Sequence, residues 1–219
     1  MIDIHCHLLP GVDDGSDSEE KSIEILKEYK KNGIDNVVFT PHKDHPTIKT
    51  NIEKIKQSYI KFKPKVERLG IKTSLGSEQY LQPKIKNVRP LFNNFVLIEM
   101  PTETFPHFFM NKIFDLQLDG YQIIIAHVER YKWLIEKKEI IENLKKLDIY
   151  FQTNIHALEN KKAEFYRKNK LIDFISTDHH ANSRTEIDLS AYKKYPKITQ
   201  NMEKILTPYI NREEKIYQI

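Results

Sequence analysis

One cysteine, Cys6, is the only thiol in 219 residues, which excludes an internal disulfide framework and agrees with a reducing compartment. An excess of one charge is missing too: 35 Lys and Arg stand against 31 Asp and Glu, a formal balance of only +4. Dedicated nucleic-acid binders gather a strong basic excess on one face, whereas here Lys and Glu alternate, as in EEKSIEILKEYKK from Glu19 to Lys31. That pattern reads as a solvated, salt-laced helix, and no nucleic-acid partner is expected. No apolar run approaches the roughly 18 residues that span a bilayer. Residues 1–9 carry Asp3, His5 and His7 where a signal peptide would be apolar. A cytoplasmic protein without membrane insertion is the expectation. Low-complexity linkers and internal repeats are also lacking, and the length suits one domain, residues 1–219, that buries a substantial core.

What is present is an alternation of short apolar runs with longer amphipathic stretches. Strands are expected over 1–5, 36–40, 72–77, 95–99, 121–126, 149–153 and 171–177, each rich in Ile, Val, Phe or Tyr. The first helix opens on a capping box, Ser16 with Glu19, continues through Ile23, Leu26 and Tyr29, and closes at Gly33. Further helices are expected over 47–69, 106–118, 130–147, 157–169, 186–194 and 198–210. Each apolar run ends in polar residues: His5 and His7, Pro41 and His42, Glu78, Glu99, His127, Gln152 and Asn154, then Asp178 with His179 and His180. In a β/α barrel the C-terminal strand ends converge on one face, which is where such folds place their chemistry. A doubly wound sheet gathers ligands at a switch point instead, so polar groups on every strand end favour the barrel.

Nine histidines are spread unevenly along the chain. His5 and His7 lie one residue apart, so on a strand both rings face the same side and can clasp one ion. Alone, that spacing is a weak signal. Asp178 and His180 repeat it after the apolar run Asp173-Phe174-Ile175-Ser176-Thr177, where burying such groups without a partner costs several kcal/mol. His42, His127, Glu78 and Glu99 each add a donor at another strand end. Any one of them is more simply a hydrogen-bonded core group; together they point to a metal centre.

These segments also carry a family resemblance. The stretch His5-Cys6-His7-Leu8-Leu9-Pro10-Gly11-Val12-Asp13-Asp14-Gly15 resembles the opening motif of the polymerase-and-histidinol-phosphatase (PHP) family, in particular its manganese-dependent protein-tyrosine phosphatases of bacterial capsule and exopolysaccharide loci. The likeness continues through Thr40-Pro41-His42, Gly76-Ser77-Glu78, Leu97-Ile98-Glu99, Ala126-His127-Val128-Glu129-Arg130, Gln152-Thr153-Asn154 and Thr177-Asp178-His179-His180. It implies a distorted seven-stranded (β/α)7, TIM-like barrel of the PHP fold, with the site at the C-terminal strand ends and up to three metal ions. In that pattern His5, His7, Glu78 and Asp178 hold one ion. Glu78 bridges to a second, held also by Glu99 and His127, and Asp14, His42 and His180 hold the third. Three departures stand out: Val128 where proline is usual, His179 in place of a small residue, and Lys43 where another histidine is common.

The donor chemistry agrees with that implication. Imidazole mixed with carboxylate suits manganese, iron or zinc, and the lack of Cys ligands argues against a structural zinc site. A cup of divalent ions complements a phosphate-monoester dianion, and hydroxide activated by the ions would attack phosphorus in line. Arginine is scarce beside lysine, yet Arg130 and Arg184 follow the His127 and Asp178 motifs closely; their planar forks grip phosphate oxygens as lysine cannot. Both are candidates for substrate binding and catalysis. A cysteine phosphatase is disfavoured, because no arginine-closed phosphate loop follows Cys6, and Cys6 is expected to pack in the core. His45, His107 and His156 lack a partner at ligand spacing and read as solvent or loop histidines, while His179 should face away from its neighbours. Tyr80, Phe105, Phe108 and Phe109 read as core or rim packing able to stack on a phenyl group. The expected activity is hydrolysis of phosphotyrosine, with a bacterial tyrosine kinase as partner. The alternatives are a small-molecule phosphatase acting on a substrate such as histidinol phosphate, or a non-catalytic metal-binding module.

Overall fold

The structure, a computed structural model, describes residues 1–181 and 187–210. Strand β1 (Ile2–Cys6) leads through α1 (Glu19–Lys31), β2 (Asn36–Phe39), β3 (His42–Lys43) and α2 (Ile52–Glu67) to β4 (Lys72–Leu75), β5 (Glu78–Tyr80) and β6 (Phe95–Glu99). The second half comprises α3 (Phe109–Leu118), β7 (Gln122–Ile125), a 3-10 turn (Val128–Arg130), α4 (Lys132–Glu136), α5 (Lys138–Lys146) and β8 (Tyr150–Asn154). It ends with α6 (Ile155–Glu159), α7 (Glu164–Lys168), β9 (Phe174–Ser176), α8 (Ala191–Lys194) and α9 (Pro196–Ile210).

Pairing between these strands is parallel throughout. β1 and β6 are buried along their whole length, as strands covered on both faces must be. Helices α2, α3 and α9 pack on β4, β7 and β9. The product is an α/β fold with a curled half-barrel of parallel strands. Where a single seven-stranded barrel was expected, the described strands form a three-stranded sheet, β1-β2-β4, and a six-stranded sheet, β3-β5-β6-β7-β8-β9.

Strands expected over 36–40 and 72–77 end early, at Phe39 and Leu75, and each resumes three residues on as β3 and β5, with a cause for each break. Pro41 lies in the first gap and offers no N–H to a ladder. Gly76 lies in the second, where a Cβ would stand 2.8 Å from Leu91 Cδ1, so only glycine lets the chain pass beneath Leu91. Across the breaks Gly76 N–H donates to Phe39 O at 2.9 Å and Glu78 N–H to Pro41 O at 3.2 Å. Each break turns the strand end inward and delivers His42 and Glu78 to the same place. At the other edge His7 N–H donates to His179 O at 2.9 Å and Asp178 N–H to His5 O at 2.8 Å, drawing the end of β9 against β1.

Two helix starts also differ from expectation. Ser18, not Ser16, caps α1, its side chain accepting from Lys21 N–H, while Ser16 is buried and bonds to Ser18 O and Ser22. Helix α2 starts after Asn51 rather than at Thr47, because His45 Nδ1 already accepts the N–H groups of Thr47 and Ile48. The stretch expected as helix over 130–147 divides into the 3-10 turn, α4 and α5, and that over 157–169 into α6 and α7. Among the described residues, no helix is long and apolar enough to cross a membrane.

Candidate metal centre

All nine residues expected as metal ligands meet in one cup at the C-terminal strand ends. His5 Nε2 lies 3.4 Å from both Glu78 Oε1 and Asp178 Oδ1, and His7 Nε2 lies 3.3 Å from Glu78 Oε2. His127 Nε2 is 2.8 Å from Glu78 Oε1 and 3.8 Å from Glu99 Oε1. His42 Nδ1 stands 3.0 Å from Glu78 Oε2, while Asp14 Oδ1 is 3.4 Å from His42 Nε2 and 3.6 Å from His180 Nε2. Three sets bring their ligand atoms within 4.8 Å of one another: His5, His7 and Asp178; His42, Glu78 and Glu99; and His7, Asp14, His42 and His180. Relative to the partition that the resemblance implies, His127 does lie beside Glu78 and Glu99, while His42 also borders that pair and His7 also borders the third set.

Local backbone aims these side chains. A Cβ on Gly15 would sit 2.0 Å from His7 O, so glycine alone permits the turn that folds Asp13 and Asp14 back onto His7. His127 and Asp178 both have left-handed backbone, φ 31° and 52°, a conformation costing a non-glycine residue about 1–3 kcal/mol. Strain at two strand-end donors is what a functional site rather than a packing core retains.

The ring protons can be placed from the partners. Gln152 Oε1 accepts His127 N–H at 2.7 Å, and a backbone amide only donates, so this atom is the amide oxygen. His5 Nδ1, 3.2 Å away, therefore carries the proton it gives to Gln152. Gln152 Nε2 in turn donates to Asn154 Oδ1, and Asn154 Nδ2 to Asp178 Oδ2 at 2.9 Å. Asp13 Oδ2 accepts His7 Nδ1–H at 2.7 Å and His42 N–H at 3.2 Å, and His180 Nδ1 donates to Asp178 O at 3.0 Å. With Nδ1 committed to Gln152 and Asp13, the His5 and His7 rings turn their Nε2 atoms toward each other, only 3.3 Å apart, beside the Glu78 and Asp178 carboxylates. Buried Glu99 Oε2 has no hydrogen-bond partner, and His42 Nδ1 and Glu78 Oε2, 3.0 Å apart, form no aligned hydrogen bond. Buried ligand-type atoms crowded with so few aligned donors fit a cation.

Electrostatics carries the same message. Burial opposes charge on His5, yet Glu78 and Asp178 raise its pKa to about 9. Burial likewise opposes charge on His42, but Asp14 and Glu78 lift it to about 11. Burial, then Glu78, pushes Glu99 up to about 8. Bonds from His180 and His42 hold Asp14 well below the carboxylate range. Without metal the cup retains protons that a divalent ion can displace.

Arg130 reaches this cup, where its Nη2 contacts Asp178 Oδ2; Arg184 lies outside the described residues. Cys6 is buried with Sγ 3.6 Å from Val38 O, and burial raises its thiol well above the usual range, consistent with packing rather than nucleophilic attack. His179 turns away, toward the Tyr29 hydroxyl at 3.4 Å. Phe105 packs edge-on against Trp133, with ring centroids 5.2 Å apart. His45 does more than a loop histidine was expected to do: with Nδ1 accepting backbone N–H groups, its proton sits on Nε2, 3.7 Å from Glu99 Oε2. Asp13 and Tyr131, which meets His127 Nδ1 at 3.2 Å, were not singled out by spacing. The adjacent pair Asp13-Asp14 was the one visible signal for Asp13.

The chain is similar to known proteins over most of its length. The model of the family described as capsular polysaccharide synthesis, CpsB/CapC, matches residues 1–212. The chain is 30% identical over 197 residues to CapC of Staphylococcus aureus, across 83% of this chain and 77% of that protein. It is 28% identical over 196 residues to tyrosine-protein phosphatase YwqE of Bacillus subtilis (strain 168), across 82% and 77%. A solved structure from a study of YwqE from B. subtilis and CpsB from Streptococcus pneumoniae, described as metal-dependent tyrosine phosphatases, superposes with TM-score 0.77 at 24% identity, covering 97% of this chain and 89% of that one. The phosphotriesterase homology protein from Escherichia coli shares the fold at TM-score 0.58 and 12% identity, over 96% and 98%.

Proposed function

Because the chain belongs to the CpsB/CapC family of capsular polysaccharide synthesis, we propose that it is a metal-dependent phosphatase hydrolysing phosphotyrosine in proteins, with a bacterial tyrosine kinase of capsule or exopolysaccharide synthesis as substrate. The single observation carrying the metal part is the pair of facing Nε2 atoms of His5 and His7, 3.3 Å apart among buried carboxylates. Relatives named as tyrosine-protein phosphatases support the substrate class. The whole chain acts as one domain, the nine strand segments of its described residues serving as seven staves once β2 joins β3 and β4 joins β5.

His5, His7, Glu78 and Asp178 would hold one ion; Glu78, Glu99 and His127 a second; Asp14, His42 and His180 a third. Manganese is the favoured metal, with iron or zinc compatible with the same donors. Once bound, these ions supply Lewis acidity that lowers the pKa of water and offsets phosphate charge. The protein does the rest. Gln152, Asp13 and the Asp178 carbonyl keep the Nδ1 protons of His5, His7 and His180 out of the cup, leaving every Nε2 free to ligate. For His127 the proton moves to Nδ1, where the Tyr131 hydroxyl oxygen accepts it. Arg130 orients a non-bridging phosphate oxygen with its fork, and Arg184 is a second candidate for that task. His45 offers its Nε2–H to a substrate oxygen on the Glu99 side of the cup.

Histidinol phosphate is the competing substrate on the same chemistry. Comparing kcat/KM for a phosphotyrosine peptide and for histidinol phosphate, each with manganese, decides between them. The proposal expects the peptide to win by at least tenfold; a reversed ratio refutes the protein-phosphatase assignment.

A further inference from the structure

His42 and His45, which face the metal cup, also form one wall of a second cavity of about 620 Å³. The charged lining of that cavity is lopsided: Lys43, Lys49, Lys84, Lys86 and Arg89 against Asp44 alone. Asp44 is already occupied, accepting from Lys43 Nζ at 2.6 Å and Gln79 Nε2 at 3.0 Å. Arg89 is 3% exposed, so its guanidinium belongs to the cavity wall rather than to solvent. Lys49, Lys84 and Lys86 are exposed, and none of them enters an ion pair among the described residues. Other lysines are matched to nearby carboxylates, as in Lys21 with Asp17, Lys30 with Asp35 and Lys112 with Asp115, and what distinguishes the cavity is that its cations share one concave wall. A chain of formal charge only +4 thus gathers Lys49, Lys84 and Lys86 around one cavity beside the cup.

The cavity is also built rather than left over. Lys43 Nζ donates to Lys86 O at 2.9 Å, Gln82 Nε2 to Asp44 O at 2.6 Å and Ser77 Oγ to Arg89 O at 3.0 Å. The first two bonds stitch the segment following β5 to the end of β3, and the third ties it to the turn between β4 and β5, which fixes the basic residues around the opening. A metal-loaded cup already neutralises the phosphate it hydrolyses, so cations outside it act on a different anion of the same substrate. Low-dielectric walls of one sign concentrate such groups.

We propose that this cavity is a specificity subsite binding an anionic side chain, carboxylate or phosphate, that lies a few residues from the phosphotyrosine in the substrate chain. The proposal rests on the phosphatase reading above. Its groups cooperate as partly exposed pairs, which together give roughly tenfold discrimination and weaken as salt screens them.

The test uses three phosphotyrosine peptides: one with neutral flanks, one with flanking glutamates and one with a second phosphorylated residue. On the metal-loaded protein the glutamate peptide should exceed the neutral one roughly tenfold in kcat/KM. That ratio should fall toward unity in Lys84→Ser/Lys86→Ser and at about 1 M salt, yet persist in Lys27→Ser/Lys204→Ser. A doubly phosphorylated peptide that outperforms the glutamate peptide assigns the subsite to phosphate; parity assigns it to carboxylate. In parallel, fluorescence anisotropy on metal-stripped protein reads peptide binding apart from turnover. Flank-dependent binding with no turnover keeps the subsite and sinks the phosphatase reading. Turnover with equal kcat/KM and equal binding for glutamate and neutral peptides, or a preference untouched in Lys84→Ser/Lys86→Ser, overturns the subsite and leaves the phosphatase reading standing.

Discussion

His5, His7, Glu78 and Asp178 lie on the floor of the cup at 0%, 1%, 1% and 8% exposure, whereas on the rim the Asp14 side chain is 50% exposed and that of His180 23%. Both regions use the same two ligand types. On the floor, the Nδ1 protons of His5 and His7 are committed to Gln152 and Asp13 and water has no access, so the Glu78 and Asp178 charges are balanced by a proton retained on His5 until a cation arrives. On the rim, solvent satisfies Asp14 without one. The floor should therefore bind its ion tightly and collapse electrostatically when it is removed, and the rim should exchange its ion readily.

Removing a floor ligand is the most severe way to probe this difference. His5→Ala is expected to lose the floor ion and roughly a thousandfold of phosphate release, while Asp14→Asn loses about tenfold and recovers with added metal. Equal losses in metal-titrated assays would erase the distinction. Arg130→Ala should lower kcat/KM about a hundredfold with metal content retained, since Arg130 meets the floor only through Asp178; loss of bound metal in this variant would make Arg130 a structural clamp instead. Gln152→Leu keeps every ligand but frees the His5 proton, and metal affinity by calorimetry should weaken ten- to roughly a hundredfold. An unchanged affinity would show that the relay to Asn154 is dispensable.

The protonation of the metal-free floor gives a further test with a definite sign. The folded-state pKa of His5 is raised to about 9 and that of His42 to about 11. Their contribution to stability is full below the unfolded value near pH 6.5 and declines as pH rises through those folded values. Metal-stripped protein should then have a lower Tm at pH 9 than at pH 6. Metal binding must displace the same protons, so affinity should rise about tenfold per pH unit for each proton released, and the Tm increment from metal should grow with pH. A pH-independent increment would contradict the proton-for-metal exchange. The smallest effect belongs to Cys6, on the opposite face of β1: Cys6→Ser should keep kcat within about twofold and cost about 1 kcal/mol of stability in urea melts. A dead but metal-loaded Cys6→Ser would revive a thiolate mechanism.

Period-two spacing in His5-Cys6-His7 and Asp178-His179-His180, together with polar ends on successive apolar runs, was enough to read the cup from sequence. Those signals are local, and strand geometry converts them directly into a shared face. The split of two strands was not legible, because the break at Gly76 depends on Leu91 lying across it, a contact fifteen positions away in the chain. His45 was obscured by helical periodicity that continues back to Thr47, where the backbone N–H groups are in fact used by its own ring. Asp13 and Asp14 are adjacent carboxylates whose division of labour is decided by Gly15, which turns one toward His7 Nδ1 and the other toward the rim. The basic cavity draws Lys43 and Lys49 from one segment and Lys84, Lys86 and Arg89 from another, so a net charge near zero concealed it.

The most direct measurement is phosphate release from a phosphotyrosine peptide as manganese is titrated into metal-stripped protein, with bound metal counted on the same samples. Activity should be absent at zero metal, climb as the floor ion fills and stay near zero in His5→Ala at every concentration. Full turnover in the stripped protein, or a metal-loaded protein inert toward phosphotyrosine, would contradict the account.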